Sequence, residues 1–220
     1  MTCKWKNIKC EKNKKKNYIK KKMSDVGKFK IIFVLGTPGA GKNTMCDRII
    51  EKYQIYHFSC GDLLREAVQE NAEEKDLINQ YMKEGKIVPA KITCELQKKT
   101  MIKNGKDYTF YLCDGFPRNE ENLKGFMEVF GNECDIVGVL YLDCPKEEAT
   151  KRILGRKGGR IDDNVETINK RFKVMEEETE PNLKNFGFSK VYHINAGKDP
   201  DVVFMEIDAV LKNLVPLRKK

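Results

Sequence analysis

A single stretch, residues 29–44, constrains the fold of this chain more than any other. An apolar run rich in Ile, Val and Phe (29–35) leads into the loop GTPGAGKNT (36–44). The run predicts a strand buried on both faces, and apolar residues at helical spacing after the loop predict a helix. Glycines allow backbone N–H groups to turn toward an anion, and the N-terminus of the following helix adds positive charge. Strand, loop and helix in this order predict a phosphate-binding loop.

The loop departs from the usual P-loop pattern at one position. Gly36, Gly41 and Lys42 match the pattern G-x4-G-K, but Asn43 stands where Ser or Thr is usual. The hydroxyl comes one residue later, at Thr44. We expect Lys42 to contact the outer phosphates and a hydroxyl in the next positions to help hold magnesium. A glycine-rich turn that binds nothing is the alternative that this motif alone leaves open.

The excess positive charge of the chain is confined to its N-terminal tail. The formal net charge is +9, and residues 1–28 hold eleven lysines against two acidic residues, so residues 29–220 are neutral overall. The tail is rich in Lys and Asn and poor in apolar residues, which predicts disorder. This distribution argues against a nucleic-acid partner for the body of the protein. A basic tail that touches RNA or acidic lipid is the alternative.

The cysteines and the hydropathy pattern limit the cellular compartment in which the chain is expected to work. Eight cysteines are scattered without a CxxC pair, and several fall inside apolar runs. This pattern favours a reducing compartment over a disulfide framework or a zinc site. No apolar run is long enough to cross a bilayer, so we expect no membrane span. We therefore expect a cytoplasmic protein, with the nucleus as the alternative location.

Further buried-strand candidates alternate with helical patterns along the rest of the chain. Short apolar runs at 55–58, 109–113, 136–142 and 191–195 predict four more strands. Strands that alternate with helices predict a parallel, three-layer α/β sheet. Asp114 follows the third of these strands, where a carboxylate near a P-loop can hold magnesium through its water ligands.

Several short motifs in this order carry a resemblance to a known family. They are GTPGAGKNT (36–44), SCGDLLR (59–65), GKIVP (85–89), DGFPRNEENL (114–123), GRIDDN (159–164) and Arg171. Over residues 29–214 the chain resembles the nucleoside monophosphate kinases of the adenylate kinase type, and most closely the UMP-CMP kinases. The resemblance implies a P-loop three-layer sandwich with a five-stranded parallel sheet.

The same resemblance implies how the chain is divided. A helical insertion that binds the nucleoside monophosphate (NMP) is expected at about 59–89, and a short LID over the ATP phosphates at about 155–164. The kinase domain, 29–214, would lie between the tail, 1–28, and a basic C-terminal end, 215–220. The family also implies a monomer.

Roles for individual residues follow from the resemblance. The ATP-binding residues are expected to be Gly39, Ala40, Gly41, Lys42, Asn43, Thr44, Arg156 and Lys198. The NMP-binding residues are expected to be Arg65, Lys86, Ile87, Val88, Gly115, Phe116, Pro117, Arg118, Asn122, Arg160 and Arg171. Of these, Lys42, Arg118, Arg160 and Arg171 would act in catalysis, and Thr44 and Asp114 would hold Mg²⁺, chiefly through water.

The choice of acceptor depends on two positions. Where adenylate kinases typically carry Gln and Thr, this chain has Asn122 and Cys60, and UMP-CMP kinases typically carry Asn and Ala there. Asn offers a donor and an acceptor to a pyrimidine, and its shorter reach suits the smaller ring. The resemblance therefore implies transfer from Mg-ATP to CMP, UMP and, by extension, dCMP. The alternatives are an adenylate kinase that acts on AMP and a non-catalytic nucleotide-binding protein with a basic tail.

Overall fold

The computed structural model describes residues 28–70, 73–104, 107–155 and 164–218. Within these ranges, five strands form one sheet in the order β2-β3-β1-β4-β5, and every neighbouring pair is parallel. The strands are β1 (Phe29–Gly36), β2 (Ile55–Ser59), β3 (Phe110–Asp114), β4 (Cys134–Asp143) and β5 (Val191–Asn195). The predicted five-stranded parallel sheet is therefore confirmed.

Helices connect the strands and cover both faces of the sheet. They are α1 (Lys42–Lys52), α2 (Cys60–Gln69), α3 (Lys75–Lys83), α4 (Ala90–Asn104), α5 (Glu120–Phe130), α6 (Lys146–Leu154), α7 (Val165–Val174) and α8 (Pro200–Leu211). Helix α7 continues through a π-helical segment, Met175–Thr179, into a short turn, Glu180–Asn182.

The central strand β1 explains why the fold has three layers. Its side chains alternate between two apolar clusters, one on each face of the sheet. Ile32 and Val34 pack with residues of α1, α6 and α8, whereas Phe33 packs against α5, with its ring 5.3 Å from that of Phe126. A strand that is apolar on both faces needs helices on both sides, because each face must be removed from water.

The helical segment between β2 and β3 has a small apolar cluster of its own. Leu64 and Ala67 of α2 pack with Ile78 of α3 and with Val88. This part of the chain corresponds to the expected NMP-binding insertion at about 59–89. Its core is small compared with the two clusters of the sheet, so α2 and α3 form a minor lobe beside the main body.

The C-terminal residues 215–218 are docked on the body. Val215 is buried, Leu217 forms a bridge with Tyr53, and the Arg218 amide donates a hydrogen bond to the Lys52 carbonyl at 2.9 Å. The end of α1 thus gains partners for its last carbonyl groups. The expected tail, 1–28, lies almost wholly outside the described residues, as does most of the expected LID. Across the ranges that the structure does describe, none of the helices combines the length and the apolar character needed to span a bilayer.

Candidate active site

A cleft of about 480 Å³ opens at the carboxyl ends of the strands, where open α/β sheets bind their ligands. Most of the expected site residues border it: Gly39, Gly41, Lys42, Asn43, Thr44, Arg65, Lys86, Ile87, Val88, Asp114, Gly115, Phe116, Arg118, Asn122 and Arg171. They come from the glycine loop and the start of α1, the minor lobe, the end of β3 and the loop after it, and helices α5 and α7. Segments far apart in sequence therefore meet around one cavity.

Some expected residues do not border this cleft. Ala40 and Pro117 are buried behind it. Lys198 is exposed and forms an ion pair with Glu206, with 2.7 Å between Nζ and Oε1. Arg156 and Arg160 lie outside the described residues, so their expected roles stay predictions.

The glycine loop is held in place by the neighbouring strand β4. The Thr37 amide donates to the Leu142 carbonyl at 3.0 Å, and the Thr37 hydroxyl accepts from the Cys144 amide at 3.1 Å. Gly39 has a φ of 86°, and a Cβ at this position would lie 2.4 Å from the Ala149 carbonyl oxygen of α6. Only glycine fits here, because both the backbone conformation and the close approach exclude a side chain.

The start of α1 is suited to an anion. Helix α1 begins directly after Gly41, which makes no side-chain capping bond, and its first turn contains no acidic residue. The first N–H groups of a helix have no partner within the helix and carry partial positive charge. These groups point toward the loop, so the cleft has a built-in phosphate-binding end.

The Lys42 ammonium group lies within the glycine loop. Nζ donates to the carbonyls of Gly36 at 3.0 Å and Thr37 at 2.9 Å, which leaves one donor for a ligand. Burial lowers the pKa of Lys42 to about 8, and the nearby guanidinium groups of Arg171 and Arg118 act in the same direction. The Asp114 carboxylate opposes them in part. Lys42 is therefore protonated at neutral pH, but its pKa is not far above that pH.

Asp114 has the properties of a buried ligand group. It is the last residue of β3, is only 4% exposed, and its Oδ1 accepts no hydrogen bond from any described residue. Burial raises the pKa of Asp114, while Lys42, His57 and Arg118 counteract that rise. A buried oxygen without a partner is costly unless a ligand or water satisfies it.

Asp114 fits a magnesium ion that is carried largely by its nucleotide. Mg²⁺ prefers oxygen ligands and commonly binds through one or two carboxylates, waters and substrate phosphates. Within the described part of the chain, no group of three or more His, Cys, Asp or Glu residues is placed to enclose a metal. The residues present fit a Mg²⁺ ion that takes most of its ligands from the nucleotide and from water. They do not form a site that encloses the ion with protein ligands alone.

A network of hydrogen bonds orients the loop after β3. Arg118 Nε donates to the Gly115 carbonyl at 2.9 Å, and the Arg118 amide donates to Asn122 Oδ1 at 3.2 Å. The backbone N–H of Asn122 in turn donates to Oδ1 of Asn119, which caps α5, at 2.9 Å. Asn122 is 3% exposed and borders the cleft. One lone pair of its oxygen is in use, so Nδ2 and the second lone pair remain for a ligand.

The minor lobe contributes one guanidinium group and the segment 86–88 to the cleft. Arg65 borders the cleft from α2, where it pairs with Asp62 one turn earlier. Lys86 also borders the cleft, and its Nζ forms an ion pair with Glu84 at 2.7 Å. Ile87 and Val88 line the cavity beside it.

The structure adds residues to the cleft that the sequence analysis missed. Arg152 of α6 borders it, held by Glu148 at 2.9 Å and by the Ala196 carbonyl at 2.9 Å. Thr93 of α4 and Thr179 of the π-helical segment also border it. Arg152 could have been found from the sequence, because it lies beside the inward-facing positions of α6. Thr179 could not, because the π-helical segment changes the helical phase before it.

Comparisons with known proteins agree with this geometry. A family model described as adenylate kinase matches residues 34–190. The chain is 48% identical over 181 residues to UMP-CMP kinase 3 of Arabidopsis thaliana, covering 82% of this chain and 88% of that protein. It is 43% identical over 185 residues to the UMP-CMP kinase of Mus musculus, covering 80% of this chain and 94% of that protein. The family match takes in the glycine loop, the minor lobe, the loop after β3 and Arg171, and the chain therefore belongs to the adenylate kinase family.

Proposed function

We propose that this protein transfers the γ-phosphoryl group of ATP to a pyrimidine nucleoside monophosphate, CMP or UMP, with dCMP as a further acceptor. The observation that carries the choice of acceptor is Asn122, which is 3% exposed and borders the cleft. The relatives named UMP-CMP kinase support the same class of acceptor.

The positive groups around the cleft suit this reaction. An oxygen of the acceptor phosphate attacks the γ-phosphorus, and the bond from that phosphorus to the bridging oxygen of ADP breaks. Such a transition state spreads negative charge over the phosphoryl oxygens, so catalysis depends on positioning and charge stabilisation. Lys42 and four guanidinium groups, those of Arg65, Arg118, Arg152 and Arg171, border the cleft. Guanidinium groups bind phosphate oxygens in pairs, which a lysine cannot do.

Magnesium is part of the proposal. When bound with ATP, the ion would offset the negative charge of the phosphate oxygens. Asp114 would hold it through its buried Oδ1, and Thr44 at the start of α1 would supply a hydroxyl. Arg156 and Arg160 belong to the proposal through the sequence motif alone.

Asn122 provides a direct test of acceptor choice. We expect the wild-type chain to favour CMP over AMP in kcat/KM by at least about tenfold, because a buried amide left unpaired by the wrong base is costly. Asn122→Gln should reduce this ratio by about tenfold, since the longer side chain crowds a pyrimidine. Asn213→Gln, on an exposed turn after α8, is the matched control and should leave the ratio unchanged. A wild-type preference for AMP, or a ratio that Asn122→Gln does not alter, would contradict the proposal.

A further inference from the structure

We infer that Asn43 serves as a ligand for the magnesium ion of bound ATP, through its side-chain oxygen Oδ1. Asn43 occupies the position at which Ser or Thr binds this ion in many P-loops and at which nucleoside monophosphate kinases usually carry glycine. The inference rests on the proposed function only in taking Mg-ATP as the phosphoryl donor. It adds a metal ligand to Asp114 and Thr44 at a position where the sequence departs from the pattern.

The first observation concerns the placement of the side chain. Asn43 is the second residue of α1 and borders the cleft between Lys42 and Thr44. Its side chain is partly buried, and it forms no hydrogen bond with any other described residue. An amide in this position is available to a ligand, because nothing in the described protein uses its donors or its acceptor.

The second observation is independent and concerns Asp114. Its Oδ1 is buried, borders the same cleft and lacks a hydrogen-bond partner within the described ranges. Among the described residues that border the cleft, Asp114 is the only carboxylate, whereas six residues are cationic: Lys42, Arg65, Lys86, Arg118, Arg152 and Arg171. Phosphate oxygens thus have many donors here, but a divalent cation has one anionic ligand. A neutral amide oxygen at Asn43 supplies what the cation needs, since Mg²⁺ prefers oxygen ligands.

Binding measurements without any acceptor can separate a metal contact from a phosphate contact. The β,γ-imido analogue of ATP would be titrated calorimetrically into the full chain, once with excess Mg²⁺ and once with EDTA. Asn43→Gly removes the amide, and Asn43→Asp replaces it with a carboxylate that can bind a cation but repels phosphate. Asn213→Asp on the exposed turn after α8 is the matched control, and the melting temperature of each variant confirms folding.

If Asn43 is a metal ligand, the two variants should differ in opposite ways in their binding of the Mg²⁺ complex and of the metal-free analogue. Asn43→Gly should weaken binding of the Mg²⁺ complex by about threefold to tenfold and change binding of the metal-free analogue by less than about twofold. Asn43→Asp should weaken binding of the metal-free analogue by about threefold or more, yet keep the Mg²⁺ complex near wild-type affinity.

Other patterns would overturn the inference. Equal losses with and without Mg²⁺ in both variants would show a phosphate contact through Nδ2. Unchanged or tighter binding of the Mg²⁺ complex by Asn43→Gly would show that the amide is no ligand at all. Because no acceptor is present, a failure of the pyrimidine assignment would leave this result untouched.

Discussion

The pKa of Lys42 predicts how nucleotide affinity changes with pH. Burial among the carbonyls of the glycine loop, close to Arg118 and Arg171, lowers that pKa to about 8 in the free protein. Bound phosphates favour the charged ammonium and restore its pKa toward the ordinary value of a lysine. ATP therefore binds the protonated form, and its affinity must fall as pH rises above about 8.

The magnitude follows from this single titration. Affinity for the β,γ-imido analogue with Mg²⁺ should fall about tenfold between pH 7 and pH 9, because the protonated fraction of a group with a pKa near 8 falls by that factor. At pH 8, binding should take up about half a proton. Calorimetry in two buffers with different ionisation enthalpies measures this uptake directly.

Lys42→Arg is the matched variant for this prediction. A guanidinium group stays charged throughout this range, so the variant should bind without proton uptake and with little dependence on pH between 7 and 9. Absence of proton uptake by the wild-type chain at pH 8 would refute the reasoning. The same would hold if Lys42→Arg kept the full wild-type pH dependence.

Three further predictions concern turnover and stability. Arg118→Ala should lower kcat with CMP by about 100-fold or more while shifting the melting temperature little, and near-normal turnover would remove Arg118 from the mechanism. Gln97 is fully buried with an unpaired Oε1, so Gln97→Met should raise the free energy of unfolding by about 1–2 kcal/mol in urea denaturation; a loss of stability would show that the amide is satisfied. Deletion of residues 216–220 removes the hydrogen bonds that Arg218 makes with the last turn of α1 and the one that the Pro216 carbonyl accepts from Gln54, and should cost about 1–3 kcal/mol in the same assay. An unchanged urea midpoint would show that these contacts are not stabilising.

The sheet was predictable because its strands are apolar on both faces. The five short runs rich in β-branched and aromatic residues all became strands, and Asp114 lies at the end of β3 as expected. Parallel strands covered on both sides leave a continuous apolar signal that a single sequence shows clearly. The glycine loop was predictable for a similar reason, since Gly39 is required by its backbone conformation and by the approach of α6.

Which face of each helix is buried was harder to predict than where the helices lie. Met127 and Val165 are apolar and stand at helical spacing with other apolar residues, yet they are 50% and 60% exposed. In α5 the inward face is instead formed by Asn122, Phe126 and Phe130. Apolar spacing identifies a helix but fixes its rotation only loosely, and a polar residue at a functional position interrupts the pattern.

The start of α2 shows a signal that the sequence analysis did not use. The helix begins at Cys60, directly after β2, and the Ser59 hydroxyl accepts from the Asp62 amide at 3.3 Å. Ser followed three residues later by an acidic residue is a recognisable capping pattern. Gly61 and Asp62, which follow Ser59, also favour turns, so the sequence at this point fits a turn as well as a helix start.

The central claim is tested most directly by offering single acceptors to the full chain. ADP formation from Mg-ATP would be measured with CMP, UMP, dCMP, AMP, GMP and TMP in separate reactions. We predict that CMP and UMP give the highest kcat/KM. Highest activity with AMP would contradict the interpretation of Asn122, although phosphoryl transfer itself would stand. Binding of ATP without turnover of any acceptor would contradict the assignment of a kinase function.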